Sequence, residues 1–364
     1  MTKVLMLVNW KVRFCDETPS NLQPPDYVSK GKPYWFFRYM RPDWDVDVVD
    51  VTSLPIIEHF EEETIRFYII QTLKILPRLG EYDLVISHGM QSGIVLALWR
   101  RIFHTKARHV VFDIGSFNSA AESGGALRMM QWASRSIDGI IYHTSSQINY
   151  YNRFFPWLSG KSCFIPFGTD LDFFKPDNRD TSHRENPYII CVGSAKRDWD
   201  TLVEAYVKID TTAKLIIVGH QDTRYADVPG VVMLPHVEVK EYQRLVADAT
   251  LCVLPLESWN YSYGQMTLMQ QMAMGKCVVA ARVPSLVDYA VDGKNVLFYE
   301  PKNVAECQAK MEMALEDAEL RRRIGHNAIV WLADNRNEKI MARGIEAFLD
   351  KILESDGLES QRGC

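Results

Sequence analysis

The chain is expected to be an α/β protein of two doubly wound domains in tandem. Short apolar, β-branched runs alternate with helix-length segments along its length, which is the pattern of parallel sheets flanked by helices. At 364 residues the chain also exceeds the roughly 250–300 at which a single core stops growing, so two cores of comparable size are expected.

The first set of strand-like runs is Val4–Val8, Val46–Val51, Leu84–Ser87, His109–Asp113, Gly139–Tyr142 and Cys163–Pro166, with helical segments at Glu61–Leu79 and Ser92–Phe103. The second set runs through Tyr188–Val192, Lys214–Val218, Val231–Leu234, Leu251–Leu256, Cys277–Ala281 and Val296–Tyr299. Its helices are expected at Asp200–Ile209, Val239–Ala247, Tyr263–Met274 and Asn303–Glu316. Between the sets, Ile165–Pro176 and the polar Asp177–Asn186 replace periodicity with proline, glycine and charge. Domains are therefore expected at 1–180 and 181–335, with the boundary near Asp180. A last segment, 336–364, holds a helix over Asn337–Leu353 and a tail that looks frayed. Ligands of doubly wound sheets bind outside the carboxyl ends of the strands, so the two domains are expected to face one interdomain cleft.

The composition, 47% hydrophobic and 24% charged, is that of a soluble globular protein. A formal net charge of −5 argues against a general nucleic-acid binder, whose affinity rests on excess Lys and Arg. Seven cysteines, none in a Cys-x-x-Cys pair and most inside apolar runs, read as reduced residues of a cytoplasmic protein. Lys3–Val8 is too short for a signal-peptide core, and no eighteen apolar residues run uninterrupted. Pro33–Arg41 and Trp99–His109 interleave bases with aromatics. They read either as a peripheral contact for the inner face of a membrane or a lipid-linked acceptor, or as helices with core aromatics and solvated bases.

The most informative run is Ser262–Gly275, followed by the strand-like Cys277–Ala281. It reads as a loop opening a helix, where unpaired N–H groups and a partial positive charge suit a phosphate. Small residues at a helix start are also ordinary turn chemistry. Gly264 lets the backbone approach closely. After Tyr188–Val192, the loop Gly193–Asp198 opens another helix and carries Lys196 and Arg197. Two cations there would clamp a diphosphate, Arg197 with its planar fork and Lys196 as a point charge. The alternative is a solvated turn whose Asp198 or Asp200 caps the helix.

His88 follows the strand Leu84–Ser87, and Asp113 and Asn118 follow His109–Phe112. At strand ends such groups bind a polar substrate or assist a proton transfer, or are structural. No Ser-His-Asp or metal-ligand spacing is present. No glycine-rich phosphate turn follows the first strand, which argues against a dehydrogenase; the long loop from Asn9 to about Lys32 reads as an acceptor-side lid.

Over roughly Phe164–Glu300, the order and spacing of IPFGTDLDFFKP, VGSAKRDWDTLVEAY, VADATLCVLPLES, SYGQMTLMQQMAMGKCVVAARV and PSLVDYAVDGKNVLFYEP resemble the retaining GT-B glycosyltransferases of the glycosyl transferases group 1, or family 4-like, type. The resemblance implies two Rossmann-like domains, with a nucleotide-sugar donor held by the second and a variable acceptor met by the first. It implies donor contacts from Gly193, Ser194, Tyr263, Gly264, Gln265, Met266 and Thr267. The family frames the donor with two glutamates eight positions apart, and those positions carry Ser262 and Gln270 here. By analogy Gln270 hydrogen-bonds the nucleotide ribose, and the loss of the first acid leaves the sugar open. Arg197 and Lys196 stand close to the family's diphosphate-binding pair, and the family's His after the fourth strand falls on Gly115, two residues past Asp113.

The implied reaction is a retaining transfer from a UDP- or GDP-type sugar to a hydroxyl acceptor, which is a glycan, a lipid-linked sugar or a small molecule. It needs neither metal nor cofactor, because the leaving diphosphate itself takes the acceptor's proton and the cations and helix opening stabilise the charge. Two alternatives stay open: a non-catalytic GT-B subunit that binds a partner glycosyltransferase, suggested by the missing glutamates, and a nucleotide-sugar epimerase or phosphorylase of the same fold.

Overall fold

A computed structural model describes residues 1–103, 105–115, 122–176 and 187–361. The chain divides into two compact units, Met1–Pro166 with Asn260–Ser262 and Glu338–Cys364, and Phe167–Trp259 with Tyr263–Asn337. Asn118 and the expected boundary at Asp180 lie outside the described residues.

The strands of the first unit are β1 (Thr2–Val8), β2 (Arg13–Cys15), β3 (Tyr27–Ser29), β4 (Trp44–Val49), β5 (Leu84–His88), β6 (Arg108–Asp113), β7 (Gly139–Tyr142) and β8 (Ser162–Phe164). Its helices are α1 (Pro55–Phe60), α2 (Ile69–Ile75), α3 (Met90–Ile102), α4 (Gly125–Ser134), α5 (Gln147–Phe154) and α6 (Pro156–Ser159). Six strands form a parallel sheet in the order β4-β1-β5-β6-β7-β8, and β2 pairs with β3. Val4–Val8 are buried throughout because helices cover both faces of the sheet. Met90, Ile94, Leu127, Met130 and Tyr151 fill one core cluster, and Leu5, Leu7, Ile75, Leu79 and Val85 another.

The segment Glu61–Leu79 is not one helix. Its chain is interrupted at Arg66, which takes a left-handed φ of 56°, and helix resumes only at Ile69. The carboxylate of Glu61 accepts from the Ile70 N–H at 2.8 Å, so a side chain replaces the backbone partner that a continuous helix would supply. Pro77 then removes a donor, and the chain finishes as a 3₁₀ turn over Leu76–Glu81.

The second unit contains β9 (Tyr188–Val192), α7 (Trp199–Tyr206), β10 (Lys214–Val218), β11 (Val231–Leu234), α8 (Val239–Asp248), β12 (Leu251–Leu254), α9 (Gln265–Ala273), β13 (Val278–Ala281), α10 (Pro284–Val287), β14 (Leu297–Tyr299), α11 (Val304–Glu316) and α12 (Ala318–Asn335). Its six-stranded parallel sheet runs β11-β10-β9-β12-β13-β14. This order reverses between β9 and β12, the topological switch point at which doubly wound sheets bind ligands. Asp198, Asn303 and Asp317 cap α7, α11 and α12 by accepting from the third residue onward.

The last helix, α13 (Glu338–Gln361), belongs to the first unit and continues beyond Leu353, where the sequence suggests fraying. Arg41 holds Asp350 with two parallel bonds of 2.8 Å, and the Trp44 indole donates to Glu346 at 2.9 Å. With Arg38 paired to Glu338, both bases of Pro33–Arg41 are engaged by α13, and Trp35, Phe36 and Phe37 of the same stretch are core residues. Likewise Arg100 and Arg108 of the second basic stretch both pair with Asp138. No helix of the described residues is long and apolar enough to cross a membrane.

Candidate functional site

At the switch point of the second unit, the loops leaving β9 and β12 are zipped together. Asp198 N–H donates to Pro255 carbonyl at 2.9 Å, Glu257 N–H to Lys196 carbonyl at 3.1 Å, and Arg197 bridges Leu256 in antiparallel fashion. The Arg197 guanidinium folds back to donate to the Val192 carbonyl at 2.9 and 3.2 Å and to the Ala195 carbonyl at 3.0 Å. Its Nη2 also approaches Thr267 Oγ1 at 3.5 Å, in the first turn of α9. Gly193, at φ 115°, makes this placement possible, since a Cβ there would stand 2.3 Å from Arg197 Nη2.

No carboxylate of the described residues pairs with Arg197. Burial lowers its pKa from the usual guanidinium value, the mark of a cation whose charge is poorly compensated. Nearby, Lys196 adopts a left-handed φ of 58° and sets its ammonium 4.1 Å from the centroid of the Trp259 ring. The Trp259 indole is itself anchored to Glu257 at 3.0 Å.

Helix α9 starts at Gln265 rather than Tyr263, because Gly264 takes φ 77° and forms the N-cap without any side chain to offer. A Cβ at Gly264 would stand 2.5 Å from Leu256 Cδ1. The first N–H groups of α9 are thus left to whatever approaches from outside, next to Thr267 and Arg197. The Tyr263 hydroxyl turns back to the Glu257 carbonyl and receives the Trp259 N–H at 3.1 Å. Ser194 is exposed, and Met266 and Gln270 are half-buried. Gln265 is 1% exposed, its backbone and side chain counted together.

The remaining candidates belong to the first unit. Ser262 is grouped there, its Oγ 3.2 Å from Thr144 Oγ1. Asp113 is fully buried and accepts from the Gly115 N–H at 3.0 Å, from the Tyr151 hydroxyl and from Gln147 at 3.3 Å. This network ties the end of β6 to α5. His88 ends the neighbouring β5, opposite Phe112 in register. It is 5% exposed, and both ring nitrogens are buried without a hydrogen-bond partner. Burial, with a smaller push from His143, lowers its pKa to about 3, so the imidazole is neutral at physiological pH.

Sequence reasoning passed over the aromatic surroundings of His88. Trp10 meets it edge-on at 4.7 Å and Trp35 lies 5.6 Å away. Trp10 follows β1 and His88 ends β5, and these two strands flank the point where the first sheet reverses direction. That topology was the available signal, but it needs the strand order, which only the pairing reveals.

The fold assembled here is the α/β GT-B fold. Sucrose-phosphate synthase of Thermosynechococcus elongatus superposes with a TM-score of 0.70 at 17% identity, covering 97% of this chain and 100% of that one. Anabaena HepE, solved in complex with UDP-glucose, gives a TM-score of 0.69 at 17% identity over 96% of this chain and 100% of its own. Residues 186–317 match the family described as Glycosyl transferases group 1. An uncharacterized glycosyltransferase of Methanocaldococcus jannaschii is 29% identical over 132 residues, 35% of this chain. The match spans 37% of that relative's length.

Proposed function

We propose that this chain is a retaining glycosyltransferase that moves a sugar from a nucleoside-diphosphate sugar to a hydroxyl acceptor without a metal ion. The observation that carries this reading is the Arg197 guanidinium, held against Thr267 at the start of α9, with no carboxylate of the described residues to neutralise it. A diphosphate supplies the missing negative charge to both the cation and the helix N-terminus.

The second unit then holds the donor, with the backbone of Gly193, Ser194 and Gly264 to Thr267 around the diphosphate and Gln270 toward the ribose. As the bond between the anomeric carbon and the β-phosphate oxygen breaks, charge grows on the leaving diphosphate, and Arg197, Lys196 and the α9 dipole stabilise it. The acceptor oxygen bonds to the same face of the anomeric carbon, and its proton passes to a leaving phosphate oxygen. Neutral His88 orients the acceptor hydroxyl, and Asp113 positions the end of β6 beside it. The UDP-glucose carried by HepE makes UDP over GDP the first donor to try. The protein works in the cytoplasm, meeting membranes peripherally if its acceptor is lipid-linked, and requires no cofactor.

The test is a panel of UDP-, GDP-, ADP- and TDP-sugars with excess chelator, following thermal stabilisation and release of nucleoside diphosphate. Stabilisation and release by one donor support the reading; activity lost to chelator removes metal independence. Ser262 and Gln270, standing where the family has glutamates, favour a second reading as a partner-binding subunit. Absence of stabilisation by every donor selects it.

A further inference from the structure

A cavity of about 200 Å³ opens in the first unit, inside the long loop after β1. Thr18, Tyr27, Ser29, Lys32, Trp35 and Arg38 line it, together with two prolines. None of these residues belongs to the donor site described above. That volume has room for one sugar ring.

Trp35 forms the rigid wall. It is 7% exposed and adopts φ 46°, a left-handed conformation that is costly for a bulky side chain. The strain is held in place from below: the indole N–H donates to Glu338 of α13 at 3.2 Å, and the same buried carboxylate pairs with Arg38. On its other side Trp35 packs edge-on with Trp10 at 6.1 Å and lies 5.6 Å from His88, whose ring nitrogens are without partners. The cavity therefore shares a wall with the polar group at the switch point of the first sheet.

The charges are unequal in their commitments. Arg38 is neutralised by Glu338. Lys32 is exposed at the cavity mouth and donates to Thr18 Oγ1 at 2.8 Å, while no carboxylate of the described residues pairs with it. Ser29 Oγ lies 3.5 Å from the same Thr18 oxygen. An aromatic wall, two hydroxyls and one uncompensated ammonium match a pyranose ring that carries a single negative group.

We propose that this cavity binds an anionic monosaccharide unit of the acceptor, a sugar bearing a phosphate or a carboxylate, with its ring against Trp35 and its negative group on Lys32. The assignment to the acceptor rests on the glycosyltransferase reading. The binding site itself does not.

Calorimetric titration of the full chain with glucose 6-phosphate, glucuronate, glucose and inorganic phosphate tests it. Glucose 6-phosphate, glucuronate or both are expected to bind at least ~10-fold more tightly than glucose and inorganic phosphate, and which of the two binds tells phosphate from carboxylate. Lys32→Ala should weaken that binding by about tenfold, with recovery in Lys32→Arg. Arg197→Ala, which alters the second unit alone, should leave it unchanged. Glucose binding as tightly as the charged sugars, phosphate binding as tightly as glucose 6-phosphate, an inert Lys32→Ala or a loss in Arg197→Ala would each overturn the proposal, as would no binding at all. Donor turnover measured on the same protein keeps the two readings apart. Turnover without anionic-sugar binding removes the cavity's role, and binding without turnover removes the transferase.

Discussion

Arg197, in the loop after β9, and Thr267, in the first turn of α9 after β12, stand on opposite sides of the sheet reversal and meet with Nη2 3.5 Å from Oγ1. Three contacts, two to the carbonyl of Val192 at the end of β9 and one to that of Ala195 in the loop, hold the guanidinium there. Positive charge is thereby preorganised beside the start of α9, which lowers the reorganisation required when an anion arrives.

Gly193 is the residue that leaves room for this arrangement. Gly193→Ala places a methyl 2.3 Å from Nη2 at a φ of 115°, so the guanidinium must move. Stability should fall by about 1–3 kcal/mol in denaturant titration, and affinity for a nucleoside diphosphate by about tenfold or more. A variant that binds the nucleotide as the parent does would show that Arg197 can be displaced without consequence.

The buried imidazoles give the first unit a defined acid sensitivity. Burial is the leading cause that lowers His88, His109 and His143 to about 3. In the unfolded chain they titrate near 6.5, so above that pH they are neutral in both states and cost nothing. As pH falls below 6.5 the unfolded state takes up protons that the folded state refuses, and stability drops until about pH 3. Each imidazole contributes up to ~1.4 kcal/mol per pH unit in this window. Denaturant titrations from pH 7 to pH 4 should show a slope that decreases in His109→Gln; an unchanged slope would mean that this imidazole is protonated in the folded protein.

Asp138 joins the second basic stretch to the sheet. Burial alone raises its pKa, but Arg100, the His109 N–H and Arg108 outweigh that effect and leave it below the ordinary carboxylate value. Asp138→Asn leaves two partly buried cations facing an amide, and should destabilise the chain by about 2–3 kcal/mol. Chemical unfolding measures this directly, and a change under ~0.5 kcal/mol would mark the cluster as solvent-screened.

Most strands were legible from sequence because a parallel sheet buried on both faces leaves continuous apolar runs such as Val4–Val8 and Leu251–Leu254. The cation loop was legible for the same reason, since Arg197 follows the clear end of β9. Other features depend on distant partners. The break at Arg66 rests on Glu61 capturing the Ile70 amide, and the surroundings of His88 bring together residues 10, 35 and 88. Glu338 shows this best, since no local pattern connects it with Trp35 and Arg38 some three hundred residues earlier.

The most direct measurement compares UDP with UMP as ligands of the parent protein and of Arg197→Ala. The account predicts that the parent binds UDP at least ~10-fold more tightly than UMP, because the β-phosphate reaches Arg197 and the start of α9, and that Arg197→Ala removes most of this difference. Equal affinities for UDP and UMP in the parent, or an advantage of UDP that survives in Arg197→Ala, would contradict it.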